Sequence, residues 1–399
     1  MRQHVREAAL ALLESKLPRV GTTIFTRMSA LAAECEALNL SQGFPDFDAP
    51  LALLDAMARH VMAGHNQYAP MAGVMPLREQ IATQVALHRG VTCNPDSEIT
   101  VVPGATEGIY CAIMACVNPG DEVIVFDPCY DSYEPSIELA GGRAVHIPLL
   151  EKRVEKRAKH TFSIDWERVE SAITSRTRLI IINSPHNPSG STLSRKDLLQ
   201  LQALVEQHQL LVISDEVYEH LVFDGQQHNS VLQFPGLRAR SFAMFSFGKT
   251  FSVTGWKTGY CIAPPALTVE LRKVHQFVSF VAVTPVQMAV ADFMRDDPAY
   301  PATLADFYQR KRDLFCKALS NSRFSFTPSA GTYFQLLDYS AITESPDTRL
   351  AEDWTRQLGI ASIPVSVFYQ TPPRQCYLRF CFAKSDDVLL EAADILCAI

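Results

Sequence analysis

Seven short apolar runs punctuate the middle of the chain: Ile99–Pro103, Glu122–Phe126, Ala144–Pro148, Leu179–Asn183, Leu211–Ser214, Phe242–Phe247 and Gly259–Ala263. Between several of them lie segments with helical periodicity, such as Glu107–Val117 and Lys196–Gln207. A strand that is apolar at nearly every position must be covered on both faces, and helical crossovers are what cover parallel strands. The alternation predicts one large α/β domain built on a seven-stranded, mostly parallel sheet flanked by helices. In open sheets of this kind ligands bind outside the carboxyl ends of the strands. The residues just after each run are therefore the first place to look for chemistry.

The C-terminal third has a different pattern. Thr332–Leu337 and Tyr377–Phe382 read as strands, with helices at Ala302–Leu319, Ala351–Leu358 and Asp387–Ala398. That predicts a smaller α+β domain. Residues 1–45 lack a strand series and are expected to join it, which sets the division at 46–285 for the large domain and 1–45 with 286–399 for the small one. The 399 residues are 47% hydrophobic and 20% charged, enough to bury a large core. Acidic residues outnumber basic ones by 43 to 36, and a net charge of -7 gives no reason to expect nucleic acid or an anionic membrane as partner. No apolar run approaches the roughly 20 residues of a membrane span. Ala8–Leu13, flanked by Glu7 and Glu14, reads as a short amphipathic helix rather than a targeting signal. The ten cysteines include no C-x-x-C pair, so reduced, buried thiols of a cytoplasmic protein are expected, and no metal site. The basic cluster Lys152–Lys159 follows a strand and reads as a solvated turn.

Gly248-Lys249-Thr250 has the ending of a phosphate-binding loop, G-x-x-x-x-G-K-[ST]. The first glycine of that motif would be residue 243, which is Ala243, and Met, Phe, Ser and Phe lie between. Those residues make a strand, not a loop that wraps phosphate. The apolar strand ending in Asp215 also precedes the lysine instead of following it. No G-x-G-x-x-G occurs, which disfavours a dinucleotide fold. Taken as a set, the same residues point elsewhere. Asp215 and Lys249 lie at the carboxyl ends of predicted strands, Asn187-Pro188 follows a third, and Gly104-Ala105-Thr106 a fourth. A glycine and a hydroxyl at a strand-to-helix turn expose N–H groups that suit a phosphate. One lysine, one buried-strand carboxylate, the Tyr218 phenol, one amide and a phosphate cradle match the needs of pyridoxal 5′-phosphate, with lysine as the covalent anchor and the carboxylate holding the ring nitrogen protonated.

Ser246-Phe-Gly-Lys249-Thr-Phe-Ser-Val-Thr-Gly-Trp-Lys257-Thr-Gly259 resembles the lysine signature of the class I pyridoxal-phosphate aminotransferases, of fold type I (aspartate aminotransferase-like). The similarity extends to Asn183-Ser-Pro-His-Asn187-Pro-Ser-Gly190, Ser214-Asp-Glu-Val-Tyr218, Asn66-Gln-Tyr68-Ala-Pro and Tyr377-Leu-Arg379-Phe, in the family's order across almost the whole chain. Leu40-Ser-Gln-Gly43-Phe-Pro-Asp-Phe and Phe380-Cys-Phe-Ala-Lys384 are similar to the methionine and kynurenine aminotransferase subgroup.

The resemblance implies that Lys249 binds the cofactor covalently and then serves as general base, and that Asp215 pairs with the ring nitrogen. Tyr218 and Asn187 would hydrogen-bond the ring's 3-oxygen. Gly104, Ala105 and Thr106, with Ser246 and Lys257, would hold the phosphate, Tyr130 would stack on the ring, and Tyr68 would reach the phosphate of a partner subunit. Arg379 would clamp the substrate carboxylate, helped by Gly43 and Asn187. Many class I members carry arginine where this chain has Lys257, which keeps the charge and loses the planar fork. Lysine is usual in the kynurenine-type subgroup. Pocket residues such as Ile24, Phe25, Phe44 and Phe280 are apolar, and Arg27 is the one extra cation near them. The implied function is ping-pong transamination of methionine, phenylalanine, tyrosine or kynurenine with a 2-oxo acid, in a homodimer with shared active sites. A lyase acting on cysteine conjugates would use the same cofactor residues. A non-catalytic ligand sensor of this fold would carry an N-terminal DNA-binding module, and barely 20 residues precede Gly21.

Overall fold

In the computed structural model, which describes residues 14–154, 159–373 and 376–399, the seven apolar runs form one sheet. They are β1 (Ile99–Val102), β2 (Glu122–Asp127), β3 (Arg143–Pro148), β4 (Thr177–Asn183), β5 (Leu211–Asp215), β6 (Ser241–Ser246) and β7 (Gly259–Ile262). Their order is β1-β7-β6-β5-β4-β2-β3. From β3 to β6 every neighbouring pair is parallel, whereas β7 runs antiparallel to both β6 and β1. Successive side chains leave opposite faces of a strand, and here both faces are buried. Ile124 and Phe126 of β2 join one apolar cluster with Ile180, Ile182, Val212 and Phe245. Val123 and Val125 join another with Ile181, Ile213, Phe242 and Met244. Helices cover both: Ile81, Val85, Val286 and Val290 pack into the first cluster, and Ile109, Ala112 and Ile113 into the second.

A third apolar cluster joins the chain's two ends. Met28, Leu31 and Leu40 pack with Leu304, Phe315, Trp354, Leu378, Phe380 and Leu389. Leu38–Asn39 also pairs in parallel with Ile360–Ala361. Strands Phe334–Asp338 and Ile363–Pro364 flank Tyr377–Cys381 in a three-stranded antiparallel sheet. The expected helices are present as Tyr300–Ala318, Asp347–Leu358 and Asp386–Cys397. The strand expected from Thr332 begins two residues later, because Thr332 has φ +66 and its hydroxyl accepts the Phe334 N–H at 3.1 Å.

The reading of Lys152–Lys159 as a solvated turn needs correction. Leu150–Val154 pairs antiparallel with Lys159–Ser163, so the cluster begins and ends in the two strands of a hairpin. Its basic side chains masked the strand signal, since lysine is depleted in strands. Residues 155–158 of that cluster, and the expected helix at Ala8–Leu13, lie outside the described residues. Among the described residues no helix is long and apolar enough to cross a membrane.

Candidate active site

Parallel β4, β5 and β6 bring their carboxyl ends to one edge of the sheet, where Asn183, Asp215 and Ser246 end them. Reversed β7 reaches the same edge with its beginning. Gly259 pairs with Val102 of β1 and with Ser246 of β6, and Lys257 just before it arrives beside the helix Ala105–Cys116. Gly104, which caps that helix, has φ +81, and a Cβ built there would lie 3.4 Å from Lys257 Nζ. Glycine thus lets the turn fold close to an ammonium group at a helix N-terminus, an arrangement suited to an anion. Gly259 is equally constrained: its Cβ would fall 2.4 Å from the Phe245 carbonyl oxygen.

A cavity of about 330 Å³ opens over this edge. Its walls contain Gly104, Ala105, Thr106, Tyr130, Asn187, Asp215, Tyr218, Ser246, Lys249 and Lys257, and also Gly43, Phe25 and Arg379. Residues scattered over more than 300 positions of sequence therefore converge as the motifs suggested. Four predicted residues stand apart from this lining: Ile24, Phe44, Tyr68 and Phe280. Tyr68 is 83% exposed, and its ring meets Phe280 edge-on at 5.4 Å. Phe44 is exposed at the surface, with Lys384 Nζ 4.6 Å from its ring centroid and 3.0 Å from its carbonyl oxygen.

Lys249 lies in a one-turn helix, Phe247–Thr250, directly after β6. Its Nζ donates to the Gly43 carbonyl at 3.0 Å and to the Tyr333 hydroxyl at 2.8 Å. Tyr333 donates in turn to the same carbonyl at 2.5 Å. Burial, reinforced by the positive charges of Lys257 and Arg379, lowers the amine from 10.5 to about 8. The neutral form, which is the nucleophile and the base, is thus accessible near neutral pH. Asp215 is buried at the end of β5, and burial raises its carboxyl from 3.8 to about 6. The Tyr133 hydroxyl opposes that rise by donating to Oδ2 at 2.6 Å, as does the Val217 N–H to Oδ1 at 3.4 Å.

Arg379 is 1% exposed on its strand. Nη1 donates to Asn187 Oδ1 at 2.7 Å and Nη2 to the Ser41 carbonyl at 2.8 Å, while Cζ lies 3.9 Å from the Phe334 ring centroid and 5.2 Å from that of Phe25. Asn187 is itself fixed by Asn183, whose Oδ1 accepts the Asn187 N–H at 2.8 Å and whose Nδ2 donates to the Asp215 carbonyl at 2.9 Å. The peptide before Pro188 is cis. Sequence reasoning missed Tyr133, Tyr333 and the Ser41 carbonyl. Tyr133 sits three residues after Tyr130, within reach of a search around that residue. Nothing local marks Tyr333 or a backbone oxygen.

A family profile for aminotransferase class I and II matches residues 36–396. The chain belongs to this family. It is 49% identical over 383 residues to the methionine aminotransferase of Escherichia coli (strain K12), covering 96% of this chain and 97% of that protein. It is 36% identical to the kynurenine–oxoglutarate transaminase of Dictyostelium discoideum, with 94% of each covered. The solved N-succinyldiaminopimelate aminotransferase of Mycobacterium tuberculosis matches it with a TM-score of 0.92 at 38% identity, covering 97% of this chain and 99% of that one. This aminotransferase is accordingly a transaminase of fold type I with pyridoxal 5′-phosphate as its cofactor. The cavity fits that group. It offers an anion cradle at Gly104–Thr106 with Lys257, an amine of depressed pKa, and a buried carboxylate, all lining one space.

Proposed function

We propose that this aminotransferase moves the amino group of hydrophobic and aromatic L-amino acids (methionine, phenylalanine, tyrosine and kynurenine) to a 2-oxo acid in two alternating half-reactions. The observation that carries the proposal is the set of cations in the cavity. Lys249, Lys257 and Arg379 are the basic residues among its lining, and each already has a task. Lys249 anchors the cofactor and moves the proton at the substrate Cα. Lys257 meets the phosphate with Ser246 and the N–H groups of Ala105 and Thr106. Arg379, steadied by Asn187, receives the substrate carboxylate near Gly43 and Phe25. Among the described residues no lining cation is left for a second carboxylate. Arg27 is exposed and tied to Glu352 at 2.5 Å. A dicarboxylate would enter with one charge unpaired, at a cost of several kcal/mol.

When bound, the cofactor supplies an electrophilic aldehyde carbon and a ring able to accept electron density. Asp215 would keep the ring nitrogen protonated, Tyr218 and Asn187 would hold the 3-oxygen, and Tyr130 would cover the ring; all four line the cavity. The similarity to a methionine aminotransferase and a kynurenine transaminase supports the choice of donors.

The same proposal includes a homodimer in which Tyr68 of one subunit completes the phosphate site of the other. Its support is that Tyr68 and the Phe280 ring it meets are both exposed in the single chain. It includes a two-domain division, supported by the core that the chain ends share; the boundary expected at 285 moves past the helix Thr284–Asp296, because its Val286 and Val290 pack into the core of the large sheet. It also includes a cytoplasmic location, supported by ten cysteines that form no disulfide.

The test is a matrix of amino donors against oxo-acid acceptors, run with the purified holoenzyme. Methionine and phenylalanine should lead, and Lys249→Ala should be inactive. Aspartate far above methionine would overturn the donor class. Pyruvate released from cysteine conjugates with no acceptor present would favour a lyase. A fully active monomer would remove the homodimer.

A further inference from the structure

Asp215 has a partner that the cofactor motifs do not include. Tyr133 is 3% exposed and opens the helix Tyr133–Leu139. Its hydroxyl donates to Asp215 Oδ2 at 2.6 Å, a length typical of a hydrogen bond to an ionised acceptor. The ring meets Tyr130 edge-on, with centroids 5.7 Å apart and planes at 78°. Tyr130 walls the main cavity, and behind it lies a smaller one of about 60 Å³, lined by Tyr130, Tyr133, Phe126, Phe162 and His186. Asp215 lines the large cavity and Tyr133 the small one, so their hydrogen bond spans the wall between them. Among the described residues, the other hydrogen bond to the Asp215 carboxylate is the longer one from Val217 N–H.

We propose that Tyr133 is a positioning residue that aims the Asp215 carboxylate at the cofactor's ring nitrogen and keeps it ionised there. The inference rests on the aminotransferase reading above. Asp215 is useful only as an anion, because only the anion stabilises a protonated ring nitrogen. Its surroundings favour the neutral acid, since burial is the largest influence on it. The groups that face it are Tyr133, Tyr130, Tyr218, Lys249 and Glu216. Lys249 favours the anion and Glu216 opposes it. Tyr133 stays a donor throughout, because burial and the Asp215 charge push its own phenol well above the ordinary range. It therefore contributes a fixed, short hydrogen bond that neither solvent nor a change in the Lys249 charge removes.

Tyr133→Phe keeps the ring and deletes the oxygen. The measurement is the dissociation constant of pyridoxal 5′-phosphate from the apoenzyme, taken across mildly acidic and neutral pH. The loss of one hydrogen bond to a charged group should weaken binding on the order of tenfold. Affinity should also fall away at a higher pH than in wild type, because Asp215 has lost a contact that favoured its anion. Tyr133→fluorotyrosine, whose phenol is the stronger donor, should move that midpoint the other way, and serves if Tyr133→Phe does not fold. In an Asp215→Asn background, Tyr133→Phe should have little further effect. Uniform weakening at every pH with no shift of midpoint, or full additivity with Asp215→Asn, would reduce Tyr133 to packing. Unchanged affinity and midpoint in Tyr133→Phe, with normal uptake by wild type, refutes this role alone. A wild-type chain that takes up no cofactor refutes the reading beneath it.

Discussion

Replacing Arg379 by lysine tests the carboxylate clamp. The guanidinium already spends two donors inside the protein, 2.7 Å to Asn187 Oδ1 and 2.8 Å to the Ser41 carbonyl. Both bonds hold its plane beside the Phe334 ring. Lysine keeps the charge as a point and cannot offer a flat pair of donors to a carboxylate. One charge-assisted hydrogen bond to the substrate is then lost, worth about 1.5–3 kcal/mol, or roughly 10- to 150-fold in kcat/KM. The carboxylate is bound alike in ground and transition states, so the loss should appear as a raised KM with kcat little changed. A buried acceptor, Asn187 Oδ1 or the Ser41 carbonyl, is also left without a donor. That should lower stability by about 1–3 kcal/mol. The assay is steady-state transamination with methionine varied at saturating oxo acid, beside a denaturant melt. A kcat/KM within threefold of wild type, or a fall confined to kcat, would refute the clamp.

Three other perturbations have definite expectations. Burial raises Asp215 from 3.8 to about 6, so the folded chain holds a proton that the unfolded chain has released, and stability declines as pH rises through that window. Asp215→Asn should abolish that decline and stabilise the cofactor-free chain at neutral pH by up to about 3 kcal/mol while weakening cofactor binding; chemical denaturation at acidic and neutral pH would show it, and an unstabilised variant would count against it. Lys249, lowered to about 8, should react with an amine-acylating reagent in the cofactor-free chain with a midpoint near that pH, read by peptide mass spectrometry; a midpoint near 10.5 would contradict the burial argument. Gly259→Ala drives a methyl group towards the Phe245 carbonyl oxygen, where 2.4 Å is available; a loss of about 1–3 kcal/mol and of cofactor affinity is expected, and a wild-type melting curve would count against it.

Much of the large sheet was legible in the sequence because its strands are buried on both faces. Val123 to Phe126 and Leu179 to Ile182 are apolar at every position, which leaves few alternatives to a covered strand. What the sequence did not reveal was direction. Nothing within Gly259–Ile262 shows that it runs against its neighbours, yet that reversal brings Lys257 to the edge where β6 ends. The hairpin at Leu150–Ser163 was hidden for the opposite reason, since its charged residues look like loop. At the site, residues whose own chemistry is distinctive were found: Lys249, Asp215, Asn187 and Arg379 all line the cavity. Supporting groups were not, because a phenol such as Tyr133 or Tyr333 gains its role from what lies across the fold, as does the Ser41 carbonyl. Tyr68 shows the limit from the other side, for its exposure in the single chain gives it no partner in the cavity walls.

Lys249, and no other lysine, is expected to anchor the cofactor opposite Asp215. Borohydride fixation of the holoenzyme, followed by peptide mass mapping, tests it directly. A phosphopyridoxyl group is expected on the peptide carrying Lys249, and it should disappear in Lys249→Ala. Attachment at a different lysine, or a fixed adduct that persists in Lys249→Ala, would contradict it.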